Sequence, residues 1–267
     1  MNEGLGSYWG RFETREDAVA FLPEHLRSTY DNPKIVDLNV DVFRSVNLFD
    51  WPVLFYLQQM IGNGLLTSLT DFGGHVGVKY EAYCPLLDFP SGFAWQVVEV
   101  PSMVAAGRKR AGSDHPSLKF FERPEDTCPC DVLLCSGVLQ YSPLTIDEII
   151  NRLPRRPKMV ILSRVAVHDI ESFFTIENFI DVKIPSRVFG AADIEQFREK
   201  AGYTRCIRWP IPYRDFEIPF ERSVSTVNMI GEVWLNKEAA VRGLDTTDGL
   251  MRVPARSAFR AELKQVA

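Results

Sequence analysis

No run of 18 or more consecutive apolar residues occurs in this 267-residue chain, so no membrane-spanning helix is expected. The opening Met1-Asn2-Glu3-Gly4 lacks a basic region followed by an apolar one, which argues against a secretory signal. Positive charge is not in excess. With 30 Lys and Arg against 35 Asp and Glu, the net charge is −5, and nucleic acid is disfavoured as the main partner. Cysteine is scarce and odd in number (84, 128, 130, 135, 206), so a disulfide framework is not expected and the expected compartment is cytoplasmic. Cys128-Pro129-Cys130 has one-residue spacing and no second Cys/His pair, so no metal site is expected; Cys135 reads as a buried strand residue. No internal repeat or low-complexity tract interrupts the chain. Apolar content of 46% and charge of 24% suit a soluble domain with a sizeable core.

What is present centres on Thr70-Asp71-Phe72-Gly73-Gly74-His75-Val76-Gly77. It follows the apolar run Leu65–Leu69 and precedes Val78–Tyr83, which can form a first helical turn. An acid at a strand end, then glycines, then a helix start suits a nucleoside-type ligand. Glycine lets the backbone turn tightly and approach the ligand, and a helix start offers free N–H groups. Asp71 favours a ligand carrying an ammonium or sulfonium over a pyrophosphate, which it would repel. A dinucleotide fingerprint needs G-x-G-x-x-G, and here Gly73, Gly74 and Gly77 lack the first spacer. Glycine pairs also mark ordinary turns, so the loop alone does not decide.

Upstream, Glu13–Leu22 reads as a helix capped by Thr14, Tyr30-Asp31-Asn32-Pro33 as a turn, and Asp50–Ile61 as an apolar helix with Asp50 as N-cap. Downstream, strands and helices alternate, the pattern of a parallel sheet covered on both faces. Strands are expected at Trp95–Val100, Leu118–Phe121, Asp131–Ser136, Lys158–Ser163, Thr204–Trp209 and Ser223–Leu235. Helices are expected from Pro101, over Thr145–Leu153 and over Ala192–Lys200. Arg164 to Gly190 reads as a long irregular insertion. Pro210–Phe220 holds three prolines with Tyr213 and Phe216, as a loop over a site would. The tail carries a helix candidate near Ala255–Lys264. Residues 1–47 then form an N-terminal extension, 48–236 the main domain and 237–267 a tail.

Glu99 ends the strand after the glycine loop, where a carboxylate can accept both hydroxyls of a ribose. It follows Asp71 at a longer interval than the roughly 20 residues of the compact dinucleotide fingerprint, and the excess fits the Cys84–Phe93 loop.

Asp71–Gly77, Val98-Glu99 and Asp131–Tyr141 together resemble class I S-adenosylmethionine-dependent methyltransferases. More narrowly, Leu139-Gln140-Tyr141, Arg164, Phe189-Gly190 and Gly202-Tyr203 are similar to a methyltransferase family associated with surface-polysaccharide gene clusters. The resemblance covers about residues 8–236. It implies an α/β, Rossmann-like, seven-stranded and mostly parallel sheet with helices on both faces and an antiparallel last strand, plus a helical N-terminal extension. The cofactor implied is S-adenosyl-L-methionine. Asp71, Gly73, Gly74 and Gly77 would hold its methionyl end and Glu99 its ribose. Val100 and Pro101 would flank the adenine, with Phe121 and Glu122 near its amino group. Ser136 and Gly137 would line the crevice where the methyl points, with Gln140 and Tyr141 toward the substrate. His75 stands where the family usually has glycine, so it either avoids or tolerates a positive φ.

Methyl transfer is an in-line displacement in which alignment supplies much of the rate. An oxygen acceptor also needs a base, for which His168 beside Asp169, Glu177 and His75 are the candidates. Arg164 could hold an acidic acceptor through a forked contact or lock the insertion through a salt bridge. The expected acceptor is a small molecule or saccharide, and an oligomer is compatible with the sequence. Two other readings stay open: an NAD(P)- or nucleotide-sugar-dependent oxidoreductase, and a non-catalytic cofactor-binding partner.

Overall fold

Seven strands lie in the order β4-β3-β2-β5-β6-β10-β9, and only β10 runs against its neighbours. In chain order these are β2 (Ser68–Phe72), β3 (Ala94–Val98), β4 (Leu118–Phe121), β5 (Val132–Ser136), β6 (Met159–His168), β9 (Tyr203–Pro210) and β10 (Asn228–Asn236). The computed structural model of the chain describes residues 7–27, 31, 40–179, 182–221 and 226–237. The expected helix near 255–264, most of the turn at 30–33 and the start of the strand placed at 223–235 lie outside them. The mostly parallel sheet with a reversed last strand is the one the sequence led us to expect.

Strand alternation builds the two faces. Val132 and Leu134 of β5 point into one apolar cluster, and Leu133 and Cys135 point into the other. The first cluster is covered by α3 (Trp51–Gly62), α4 (Val78–Tyr83) and α5 (Pro101–Ala111). The second is covered by α6 (Ile146–Arg152) and α7 (Ala191–Lys200). Thr145 caps α6 in a reciprocal box with Glu148, which sets where that helix starts. No helix among the described residues is long and apolar enough to cross a membrane.

Gly107 in α5 shows how closely helix and sheet approach. A Cβ there would lie 2.2 Å from Cε1 of the buried Phe120 on β4. Gly107→Ala should therefore lower stability, with overpacking of about 1–3 kcal/mol outweighing the ~1 kcal/mol that alanine gains in a helix. A lower urea midpoint at unchanged slope is the expected readout.

The segment from Arg164 to Gly190 corrects the sequence reading. Instead of an irregular insertion it is the end of β6 followed by a hairpin, β7 (Phe173–Phe179) and β8 (Val182–Gly190). β8 joins β6 in parallel through Val167↔Phe189 and His168↔Gly190. The N-terminal extension also differs from a purely helical one. Its β1 (Ser7–Phe12) pairs antiparallel with β7, and α1 (Arg15–Phe21) packs Ala18 and Leu22 on Ile176 of β7. Thr14 caps α1 as expected, its hydroxyl accepting from the Asp17 N–H. A short helix, α2 (Val40–Phe43), follows.

Asp50 does not cap α3 with its side chain. Its carboxylate accepts from the Asn47 N–H (2.8 Å), the Tyr83 hydroxyl (2.9 Å) and Lys79 Nζ (2.8 Å). Lys79 and Asp50 are 5% and 0% exposed, so a buried ion pair ties the start of α3 to α4.

Candidate functional site

The loop after β2 runs beneath the C-terminal edge of the sheet. Gly73 and Gly77 have φ of +74° and +88°, and Gly77 begins α4. Each glycine also admits a close neighbour. A Cβ at Gly73 would meet Val138 at 2.2 Å, one at Gly74 would meet Asp71 Oδ2 at 2.5 Å, and one at Gly77 would meet Leu118 at 2.6 Å. His75 tolerates the left-handed region, with φ of +56°, and its ring stands edge-on to Phe43 of α2 at 5.9 Å.

Two acids sit at this loop. Asp71 is buried below it and accepts from Trp95 Nε1 at 3.1 Å; burial pushes its carboxyl up to about 7. Glu99, just past β3, accepts from the His75 N–H and the Val100 N–H, each at 3.0 Å, and burial raises it to about 7 as well. Four acceptor positions on a carboxylate, two of them used here, leave Glu99 room for a pair of ligand hydroxyls. Val100 starts α5, where Asp31 accepts from the Ser102 N–H at 3.0 Å. Phe121 is half-buried at the end of β4 and gives its carbonyl to the Glu99 N–H, while Glu122 is exposed. The loop, Glu99 and the end of β4 therefore come together along adjacent strands.

A second cluster lies beyond β5. Ser136 ends that strand, and Gly137 turns at φ of +71° with Arg164 packed on it, a Cβ there lying 2.8 Å from Cζ. Arg164 has φ of +57° and donates from Nη2 to the Ser136 carbonyl at 2.8 Å. Its guanidinium lies over Phe43 (5.6 Å) and Phe49 (5.5 Å) and is close enough to favour the charged forms of both Asp71 and Glu177. No carboxylate among the described residues lies within ion-pair distance of it, so the anticipated lock on the insertion by a salt bridge is not seen there. Gln140 is buried, with Oε1 facing no donor among the described residues.

Glu177 is the centre of this second cluster. It is buried on β7, accepts from the Tyr141 hydroxyl at 2.5 Å and also from the Tyr8 hydroxyl. Tyr8 stands directly opposite it in the β1–β7 register and stacks on Phe216 at 3.6 Å. Burial lifts Glu177 to about 7, against the opposing pull of the two phenols and Arg164. His168 stands elsewhere. It ends β6, five residues past the Ser163 that pairs with Ser136, where it pairs with Gly190 of β8. It is buried, and its Nδ1 accepts from the Glu171 N–H at 3.4 Å. Glu177, Tyr141 and Arg164 thus converge, and His168 does not join them.

Tyr8, Arg214 and the Asp50–Lys79 pair are absent from the sequence reading. Only the pairing of β1 with β7, and the stacking of Phe216 on Tyr8, bring Tyr8 and Arg214 to the cluster. Among the described residues no group of three or more His, Cys, Asp or Glu could hold a metal ion. All five cysteines are free thiols, with Cys128 exposed and Cys130 buried.

No protein-family model and no curated protein matches the sequence. Among solved structures, the chain is similar to a S-adenosylmethionine-dependent methyltransferase from Clostridium acetobutylicum ATCC 824 (13% identity, TM-score 0.49, 76% of this chain and 98% of that one). It is also similar to the 1,6-didemethyltoxoflavin-N1-methyltransferase of Burkholderia thailandensis (16%, TM-score 0.46, 74% and 84%). A glycopeptide N-methyltransferase complexed with (S)-adenosyl-L-homocysteine gives 10% identity, a TM-score of 0.49 and coverage of 85% and 100%. By its own strand order, with β10 alone reversed, the chain has the Rossmann-like fold of class I methyltransferases.

Proposed function

We propose that this chain is an S-adenosylmethionine-dependent methyltransferase acting on a hydroxyl of a small-molecule or saccharide acceptor. The observation that carries the reading is Glu99: a buried carboxylate at the end of β3, held by two backbone N–H groups beside the glycine loop. A ribose is the ligand that such an acid, with acceptor positions to spare, suits. Asp71 lies below the same loop, where its charge favours a cationic guest.

When bound, the cofactor supplies a methyl carbon activated by a positively charged sulfur. The chain's own work is alignment and handling of the acceptor proton. Ser136, Gly137 and Gln140, at and just past the end of β5, are the residues that would lie beside the acceptor. Ionised Glu177 would take the acceptor's hydroxyl proton as that oxygen gains the methyl and the carbon–sulfur bond breaks, its electron pair staying on sulfur, while Tyr141 and Tyr8 hold the carboxylate in place. A carboxyl raised to about 7 is matched to proton transfer near neutral pH. α2, carrying Phe43, lies against the His75 loop and Arg164, where it would keep water from the acceptor.

Calorimetry with S-adenosylmethionine, S-adenosylhomocysteine and NAD(P) tests the reading. Binding of the first two is expected, and binding of NAD(P) alone would end it. Glu99→Ala should weaken S-adenosylhomocysteine binding by at least ~1 kcal/mol, the scale of a lost charge-assisted hydrogen bond. Unchanged affinity would remove Glu99 from the site.

A further inference from the structure

Resting on the methyl-transfer reading, we propose that the acceptor carries an anionic group, a carboxylate or a phosphate, gripped between Arg164 and Arg214. The geometry begins with Phe49, whose ring is approached by three cations. Arg164 lies 5.5 Å from its centroid, Lys79 5.8 Å and Arg214 5.9 Å. Lys79 is neutralised by Asp50 at 2.8 Å. Neither arginine has a carboxylate within ion-pair distance among the described residues. Arg164 spends one nitrogen on Ser136, and its buried Nε meets no acceptor among the described residues.

Two guanidiniums on one ring repel each other, and partial burial adds to the cost of both charges. Arg214 accordingly falls below the usual guanidinium range, first through burial and then through Arg164. An arrangement of this kind is relieved by an anion. The forked donors of arginine fit carboxylate and phosphate oxygens two at a time.

The position fixes whose anion it is. Arg214 belongs to the linker between β9 and β10. That linker is pinned just past Arg214 by Asp215, which accepts from the Met229 N–H at 2.8 Å, and by Phe216 stacked on Tyr8. Arg214 also acts electrostatically on Tyr8, as Arg164 does on Glu177. Both cations therefore border the Tyr8–Glu177–Tyr141 cluster, and an anion held there would present a neighbouring hydroxyl to Glu177. The other source of a carboxylate is the methionyl end of the cofactor, which the experiment separates.

The full chain saturated with S-adenosylhomocysteine is titrated calorimetrically with inorganic phosphate and, separately, with benzoate. Saturable binding of at least one is expected, and the stronger of the two identifies the anion class. Arg214→Gln should weaken that binding at least tenfold, Arg214→Lys less, and both should leave S-adenosylhomocysteine affinity within twofold. Arg214 is half-buried and makes no hydrogen bond among the described residues, so an unchanged melting temperature is expected in both variants; Arg164→Gln adds a second reading where it folds. Absence of saturable binding to the wild type, or equal binding by Arg214→Gln, overturns the proposal. So does a fall in S-adenosylhomocysteine affinity in Arg214→Gln when the loaded wild type takes up neither probe, because the arginines then serve the cofactor. If the wild type binds no S-adenosylhomocysteine, the methyl-transfer reading fails. A tenfold loss of probe binding to the unloaded Arg214→Gln chain would still locate the anion site.

Discussion

Glu177→Gln is expected to slow methyl transfer by about 10²–10⁴-fold, the range in which a positioned general base contributes. S-Adenosylhomocysteine affinity should stay within about twofold, since Glu177 stands on β7, away from Glu99, the acid proposed for the ribose, just past β3. Glutamine keeps the shape and one carbonyl acceptor for the phenols of Tyr141 and Tyr8, so the cluster survives while its basicity is lost. The pH profile gives the sharper readout. Glu177 titrates near 7 in the folded chain, so the wild-type rate should climb about tenfold per unit below pH 7 and level off above it. The variant should show no such limb. A wild-type profile flat across pH 6–8 would mean the acceptor needs no base, as a carboxylate acceptor would not.

The same shift has a consequence for stability. A carboxyl raised on folding favours the native state while it is protonated; that contribution is whole below about pH 4.5 and is lost as pH rises through 7. Asp71 and Glu99 add the same sign over the same window. Glu177→Gln should therefore gain stability relative to the wild type between pH 5 and pH 8. Melting temperatures at the two ends show whether it does.

The second large effect is on folding. Lys79→Met leaves the Asp50 carboxylate, which is 0% exposed, without its cation. Removing one partner of a buried pair costs about 3–5 kcal/mol. For a domain of this size that is a fall of about 6–20 °C in melting temperature. Adding Asp50→Leu should restore part of the loss, because the uncompensated charge goes too. Recovery stays incomplete, since the Tyr83 hydroxyl and the Asn47 N–H lose their acceptor. A single variant that melts within 2 °C of the wild type, an outcome well below the roughly 6 °C expected, would show that water reaches Asp50 readily.

What the sequence displayed and what it concealed divide along physical lines. The glycine loop, the strand-end acid Glu99, the cap at Thr14 and the helix from Thr145 are local signals, and each appears where its neighbours along the chain place it. The hairpin β7–β8 was hidden because β7 is buried on both faces. Phe173, Thr175 and Glu177 face one side and Ile176 the other, so the apolar alternation that marks a half-exposed strand is missing. Pro185 inside β8 weakens the strand signal further. Asp50 looked like a helix cap because Asp-Trp-Pro is what a helix start contains, and nothing nearby announces Lys79. Tyr8 and Arg214 acquire meaning only through partners distant along the chain. Glu177 was among the candidate bases by residue type and position, but its two phenols could not be read from its surroundings.

The pairing of Tyr8 with Glu177 also sets an order of events during synthesis. A ribosome adding roughly 5–20 residues per second needs about 8–34 s to travel from one to the other. Until then the first strand has no mate and waits with its edge bare, a natural client for whatever guards nascent polypeptides. Glu177, the proposed proton acceptor, is therefore sheltered only after the chain's earliest and later-made portions have met.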